Sequence, residues 1–175
     1  MHLLRSLPVV ATIALLTACD LNTEPNIPDA IDPAQDTYAA SLGVNIGTMT
    51  KTTSGLYYKD KTVGSGSAAA RGDSVRVHYT LWLTNGTKVQ SSKDGSAIPF
   101  EFLTGATPIR VIPGFEEGVI GGTIGMQPGG VRQLVIPTLL AWGPIGNSIP
   151  GFPAVPPNAN VVFEVEYLAR LSSAQ

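Results

Sequence analysis

Residues Ser74–Leu83 (SVRVHYTLWL) alternate strictly. Val75, Val77, Tyr79, Leu81 and Leu83 share one face, and Arg76, His78, Thr80 and Trp82 the other. A period of two marks a β-strand. Asn85-Gly86 follows, and because both residue types tolerate φ > 0 the pair predicts a hairpin turn. With Thr87 it also spells a glycosylation sequon, for which the turn is the preferred reading. Further strands are expected over Val131–Ile136, 161–168 (VVFEVEYL), 56–63 and Phe100–Leu103, and a short helix over 114–120 (GFEEGVI). Many short strands and one helix predict an α+β domain, an antiparallel sheet wrapped on that helix.

The N-terminal third lacks this alternation. Residues 1–6 carry Arg5 and no acid, and 7–18 form an uncharged, mostly apolar run of 12 residues. Such a run is too short to span a bilayer and has the length of a signal-peptide apolar segment. It ends in Leu16-Thr17-Ala18-Cys19, which resembles the lipobox of bacterial lipoproteins. That resemblance implies a signal peptide over 1–18, lipidation at Cys19, and a chain held in the cell envelope with its domain facing the periplasm or exterior. The alternative is an ordinary secretory signal with an incidental cysteine. Acyl chains hold by burying methylenes at about 0.8 kcal/mol each, so two or three anchor stably. Asp20 directly after the cysteine resembles the inner-membrane retention signal of enterobacterial lipoproteins.

From Asp20 to Thr50 there are five acids (Asp20, Glu24, Asp29, Asp32, Asp36) and no base. Pro25, Pro28 and Pro33 break any helix in the first half. Residues 19–52 therefore read as a flexible, solvated acidic tether, with a short helix near 36–42 as its structured option. The folded domain is expected over 53–175.

Composition narrows the function. The chain of 175 residues suits one domain with an appendage, and 43% hydrophobic against 14% charged residues is enough apolar content for a core. A net charge of −2 argues against a nucleic-acid groove. One cysteine excludes an internal disulfide framework and a cysteine-based zinc cluster.

The chemical motifs are weak. Gly64-Ser-Gly66-Ser-Ala-Ala69 fits a relaxed dinucleotide fingerprint, but no long amphipathic helix follows it and no acid stands about 20 residues on. Residues 121–130 (GGTIGMQPGG) lack the Lys-Ser/Thr of a phosphate loop. Gly114 and Gly118 make a GxxxG, but Glu116 and Glu117 exclude a membrane helix. These two acids point about 100° apart on a helix, so they form no acid/base dyad and are expected to cap and solvate the helix start. Beyond the signal region the single histidine, His78, offers neither a triad nor a metal site. Any enzymatic chemistry must therefore work without a nucleophile, a metal or a general base.

Nine segments, in order, carry a resemblance: Ser54-Gly-Leu-Tyr-Tyr58, Gly72-Asp-Ser-Val-Arg-Val-His-Tyr-Thr80, Asn85-Gly-Thr-Lys-Val-Gln-Ser-Ser92, Pro99-Phe-Glu-Phe102, Val111-Ile-Pro-Gly-Phe-Glu-Glu-Gly118, Gly125-Met, Ala141-Trp-Gly143, Pro156-Pro157 and Val161-Val-Phe-Glu-Val-Glu-Tyr-Leu168. Together, over about 54–171, they resemble the FKBP-type peptidyl-prolyl isomerases. The resemblance implies an antiparallel, curved five- to six-stranded sheet around one short helix, and isomerisation of proline peptide bonds with no cofactor. It implies proline-containing polypeptides as partners, tacrolimus-like macrolides as ligands, and a monomer. It places Tyr79, Gln90, Ile112, Phe115, Trp142 and Phe163 at the catalytic pocket, with Val89, Phe100, Val111 and Val155 binding substrate. The Ile112 backbone N–H would donate to a substrate carbonyl, and Phe115 would form the floor.

The departures are specific. Val89-Gln90 stands where the family has Phe-Asp, and the arginine that pairs with that aspartate has no clear counterpart beyond Lys93. Losing both partners costs less than stranding one. Phe115 replaces the usual floor tryptophan. Trp142 replaces the usual tyrosine, keeping a donor but losing an acceptor. The flap over 144–155 is longer than in minimal members and adds Phe152, which could cover the pocket. Two functions compete: an isomerase acting on envelope proteins, favoured by Tyr79, Ile112 and Phe163, and a weak or non-catalytic peptide-binding chaperone, favoured by Val89-Gln90. An assembly factor using the acidic tether has no positive support.

Overall fold

A computed structural model describes residues 27–108, 111–121, 125–148 and 150–172. The expected signal segment, Cys19, Asp20 and Glu24 lie outside them. Seven strands form one antiparallel sheet: β1 (Thr50–Lys51), β2 (Tyr57–Thr62), β3 (Ser74–Leu83), β4 (Lys88–Ser91), β5 (Phe100–Leu103), β6 (Val131–Ile136) and β7 (Val161–Ser172). Their order is β1-β2-β6-β7-β3-β4, with β5 also pairing β3. The extra strand relative to the expected five to six is the two-residue β1, too short to show alternation.

The alternation in β3 arises because it is the central strand. One edge pairs with β7 over its whole length, from Ser74 opposite Ser172 to Leu83 opposite Val161, with two register shifts. These shifts carry β7 to Ser172, past the expected end at 168. The other edge of β3 is shared, with β5 pairing Ser74 to Val77 and β4 pairing Thr80 to Trp82. At the expected hairpin only Gly86 enters the left-handed region (φ 89°), and its N–H donates to the Leu83 carbonyl at 2.9 Å.

The helix α1 (Pro113–Ile120) begins with Pro113 in its first turn, where a missing N–H costs nothing. Its GxxxG has a packing role. A Cβ on Gly114 would collide with Ile136, and one on Gly118 with Leu134, so the two glycines let the helix lie directly on β6. The far end of α1 is fastened by the buried Arg132. Its Nη1 donates to the carbonyls of Gly118 (2.9 Å) and Gly121 (3.3 Å), and its Nε and Nη2 grip Asp60 at 2.6 and 3.1 Å. A cation at a helix C-terminus complements the dipole.

The glutamates do not solvate the helix start as expected. Glu116 is 9% exposed and accepts the Gly105 N–H at 2.7 Å; Glu117 accepts the Ser54 hydroxyl at 2.7 Å. Both ends of that hydrogen-bond demand come from loops distant in sequence, so neither was visible in local pattern.

Each face of the sheet carries an apolar cluster. The helix-bearing face packs Leu56, Val75, Val77, Leu134, Ile136, Phe163 and Val165 with Phe115 and Val119 of α1. The outer face packs Tyr57, Val135, Val162 and Trp82 against Leu42, Tyr38, Ala39, Val44, Ile46 and Met49. This corrects the tether expectation for its described part. From Asp32 onward the segment is laid on the sheet, with two 3-10 turns (Ala40–Leu42 and Ile46–Thr48) and β1. Proline and acid content ruled out a long helix there, but irregular chain can still be ordered by partners elsewhere. Ala39 N–H donates to the Thr84 carbonyl (2.8 Å), and the buried Gln133 side chain donates to the Leu42 carbonyl (2.8 Å).

Candidate active site

An apolar cavity of about 130 Å³ opens beside α1 on the helix-bearing face. That is well below the roughly 300–1,000 Å³ of pockets that engulf a whole drug-sized ligand, and it suits one inserted ring. Five elements supply its wall. Tyr79 and Leu81 come from β3, Val89 and Gln90 from β4, and Phe100 from β5. Val111, Ile112 and Phe115 come from the approach to α1 and its first turn, and Phe163 from β7. Trp142, Asn147, Pro153 and Val155 close the remaining side from the segment between β6 and β7. All ten pocket residues named from the sequence are brought together here. Leu81, Asn147 and Pro153 were not named. Leu81 carries a signal, since it shares the face of Tyr79 two residues on. Asn147 and Pro153 sit in a loop with no periodicity. Phe152 does not line the cavity and is 41% exposed; Asn147, Pro153 and Val155 are the flap residues that reach it.

The aromatic rings interlock edge to face. Tyr79 meets Phe100 and Phe115 at 5.8 Å between centroids, with interplanar angles of 81° and 78°, and Phe115 meets Phe163 at 5.2 Å. Such geometry sets positive ring edges against negative faces and fixes the wall. Tyr79 is held where the β3 ladder passes from β5 to β4. Its N–H donates to the Ser92 hydroxyl (2.9 Å) and its carbonyl accepts the Ser92 N–H (3.0 Å). On the opposite face of β3, His78 Nδ1 also meets that hydroxyl at 3.0 Å.

Polar groups are few. The Tyr79 hydroxyl donates to Gln90 Oε1 at 3.0 Å, and burial pushes its pKa up, so it stays a neutral donor. Among the described residues no charged side chain lines the cavity. Lys93 instead pairs with Glu166 at 2.7 Å. Ile112 has extended backbone (φ −62°, ψ 142°) just before α1, and among the described residues its N–H has no acceptor. The flap is stitched by reciprocal backbone bonds between Asn147 and Val155 (2.9 and 2.7 Å), and Gly146 approaches the Val155 carbonyl where a Cβ would not fit.

The family profile described as FKBP-type peptidyl-prolyl cis-trans isomerase matches residues 65–168. The chain belongs to this family. An FK506-binding protein of Neisseria meningitidis is 40% identical over 114 residues, covering 65% of this chain and 94% of the relative. The chloroplastic peptidyl-prolyl cis-trans isomerase FKBP13 of Arabidopsis thaliana is 34% identical over 146 residues, 76% of this chain and 69% of that protein. Among solved structures, AtFKBP13 superposes with a TM-score of 0.63 at 34% identity, over 70% of this chain and 98% of that one. FkpA from Escherichia coli gives 0.56 at 33% identity, over 69% and 50%. This FKBP is thus a peptidyl-prolyl cis-trans isomerase, and its family binds proline-containing peptides and macrolides.

Proposed function

We propose that the aromatic cavity is where this isomerase turns X-Pro bonds, and that its substrates are polypeptides of the cell envelope. The observation that carries the site is a wall of interlocked aromatic and aliphatic groups, with no charge among the described residues. Rotation about the peptide bond faces a barrier of about 18–20 kcal/mol and takes tens of seconds unaided. The planar amide is the more polar state, and water favours it. Twisting the bond breaks amide resonance, so a water-poor apolar site lowers the barrier. In this reading the proline ring enters over Phe115, with Phe163 and Tyr79 as side walls. The Ile112 N–H donates to a substrate carbonyl. The Tyr79–Gln90 pair forms the polar edge in place of a carboxylate. No step requires a nucleophile, a metal or a cofactor.

The envelope location rests on Arg5, the apolar run over 7–18 and the Thr17-Ala18-Cys19 box. Cys19 would carry acyl chains and hold a monomeric domain at the membrane, facing the periplasm or exterior. Because the chain is fastened to the domain at Pro28, no more than nine residues separate Cys19 from that point. Nine residues cover at most about 32 Å when fully extended. The domain would then sit close to the bilayer.

A protease-coupled assay with a proline peptide tests the site. Acceleration by the protein supports it, whereas an unchanged rate with peptide still bound would leave a peptide-binding chaperone. The commitment of the Tyr79 hydroxyl to a neutral amide favours that second reading. Cys19→Ser tests the anchor: the variant should lose membrane association and keep its isomerase activity, and persistent association would end the lipobox reading.

A further inference from the structure

The N-terminal segment does more than cover the outer face, because it also reaches the two asparagines that hold the flap side of the cavity. Asn160 is 3% exposed and immediately precedes β7. Its Oδ1 accepts the N–H of Thr138 at 3.2 Å, at the start of the 3-10 turn Thr138–Leu140 that leads into Trp142. Its Nδ2 donates to the Ile31 carbonyl (2.9 Å) and to Asp36 Oδ2 (2.8 Å). Two residues earlier, Asn158 adopts left-handed backbone (φ 55°), a conformation that asparagine accepts more readily than most residues. Its N–H donates to the Gly143 carbonyl at 2.8 Å, next to Trp142, and its Nδ2 donates to the Pro28 carbonyl at 2.7 Å. One side chain thus ties the N-terminal segment to the chain before Trp142. The other residue ties the same segment to the chain after it.

The segment is itself braced for this. The Asp32 carboxylate accepts the Ala34 N–H at 2.8 Å, the Tyr38 hydroxyl donates to the Pro33 carbonyl at 2.8 Å, and Leu42 is buried against Tyr57, Val135 and Val162. A segment so fixed can act as a fulcrum, whereas a solvated tether could not. Trp142 and Val155 have no strand of their own to hold them at the cavity. Their position is set by the 3-10 turns, by the Asn147–Val155 bridge, and by Asn158 and Asn160.

We propose that residues 28–36 form a strap that positions the Trp142–Val155 wall of the substrate cavity through Asn158 and Asn160. Asn160 is then a positioning residue, acting on substrate through Trp142. The strap sets the width of the opening that a proline segment must enter, so loosening it weakens substrate capture more than it slows the bound substrate's rotation.

The test uses the full chain labelled with 5-fluorotryptophan, which carries two tryptophans, Trp82 and Trp142. The Trp142 fluorine signal is assigned with Trp82→Phe. Asn160→Asp keeps the acceptor for Thr138 but loses both donors to the strap and faces Asp36. Asp36→Ala removes one strap acceptor from the less buried side, and it keeps the test open should the first variant fail to fold. In each variant KM for a proline peptide should rise at least threefold with kcat within twofold, and the Trp142 signal should shift or broaden. An unchanged KM with an unmoved Trp142 signal overturns the proposal even if thermal stability falls. A parallel loss in kcat overturns it too, since it marks general loosening. The proposal rests on the cavity being the substrate site. Wild-type peptide titration checks that separately: if wild type binds no peptide, the site assignment fails, and the Trp142 signal still decides whether the strap positions the wall.

Discussion

The helix-bearing face of the sheet keeps an apolar cavity, whereas on the outer face the apolar positions of β2, β6 and β7 are covered by the chain's own residues 38–49. On β6 and β7 the division is residue by residue. Leu134, Ile136 and Phe163 point into the core beneath the helix, and Val135 and Val162 point out against Leu42. The two faces carry similar side chains, so hydrophobicity alone does not decide which becomes a site. What differs is the closure. The apolar patch of the outer face is covered by the N-terminal segment with matching apolar groups. The inner face is lined by rigid rings that meet one another at 5.2–5.8 Å and leave a cavity none of them can collapse into.

Removing one of those rings tests this difference most severely. Phe163→Ala should cost about 3–5 kcal/mol in a denaturant melt, the usual range for a buried phenylalanine, and should reduce isomerase activity to background. Retention of near-wild-type activity would show that the wall can be rebuilt without it and that the cavity's rigidity is not the active feature.

On the outer face the expected loss is smaller and spares chemistry. Leu42→Ala should lower stability by about 2 kcal/mol, or about 4–8 °C in Tm. Ile27→Ala, at an exposed position, should stay within about 0.5 kcal/mol of wild type. Equal, negligible effects in both would restore the solvated tether and erase the contrast between the faces.

The two faces also differed in how well the sequence disclosed them. The helix-bearing face was legible because β3 alternates over ten residues and because the site residues lie inside short motifs with fixed company, such as Val111-Ile-Pro-Gly-Phe. The outer face was illegible for a physical reason. Residues 28–36 are held by Asn158 and Asn160, more than 120 positions away, and a local window of prolines and acids cannot reveal a distant donor. Trp82 carried a hint, since a tryptophan on the expected solvent side of a central strand needs a cover. Glu116 failed in the same way, its partner being the Gly105 N–H across a loop. Asn147 and Pro153 escaped notice because the flap has neither period nor motif.

The polar edge of the cavity should respond more weakly than its rings. Gln90→Asp retains an acceptor for the Tyr79 hydroxyl, so turnover should hold or rise, with any loss under about 1 kcal/mol, roughly fivefold. A tenfold loss would show that this cavity has been rebuilt around the amide.

The smallest expected effect is that of pH, and its absence is informative. Among the described residues Tyr79 is the one titratable side chain in the cavity wall, and burial raises its pKa above the ordinary value of about 10. A group whose folded value is raised favours folding while it is protonated. That contribution is complete below the unfolded value and is lost as pH climbs through the folded one. The Tyr79–Gln90 hydrogen bond therefore persists throughout the neutral range, and kcat/KM for a proline peptide should be flat from about pH 5 to pH 9. The Gln90→Asp protein is the internal control, since a carboxyl in the same place adds a titration at or above about 3.9. A step near neutrality in the wild type would break the argument. It would mean that the outer side of β3 reaches the cavity through the ladder, where the Ser92 hydroxyl accepts the Tyr79 N–H and meets the ring of His78, and that the separation of the two faces is incomplete at the strand they share.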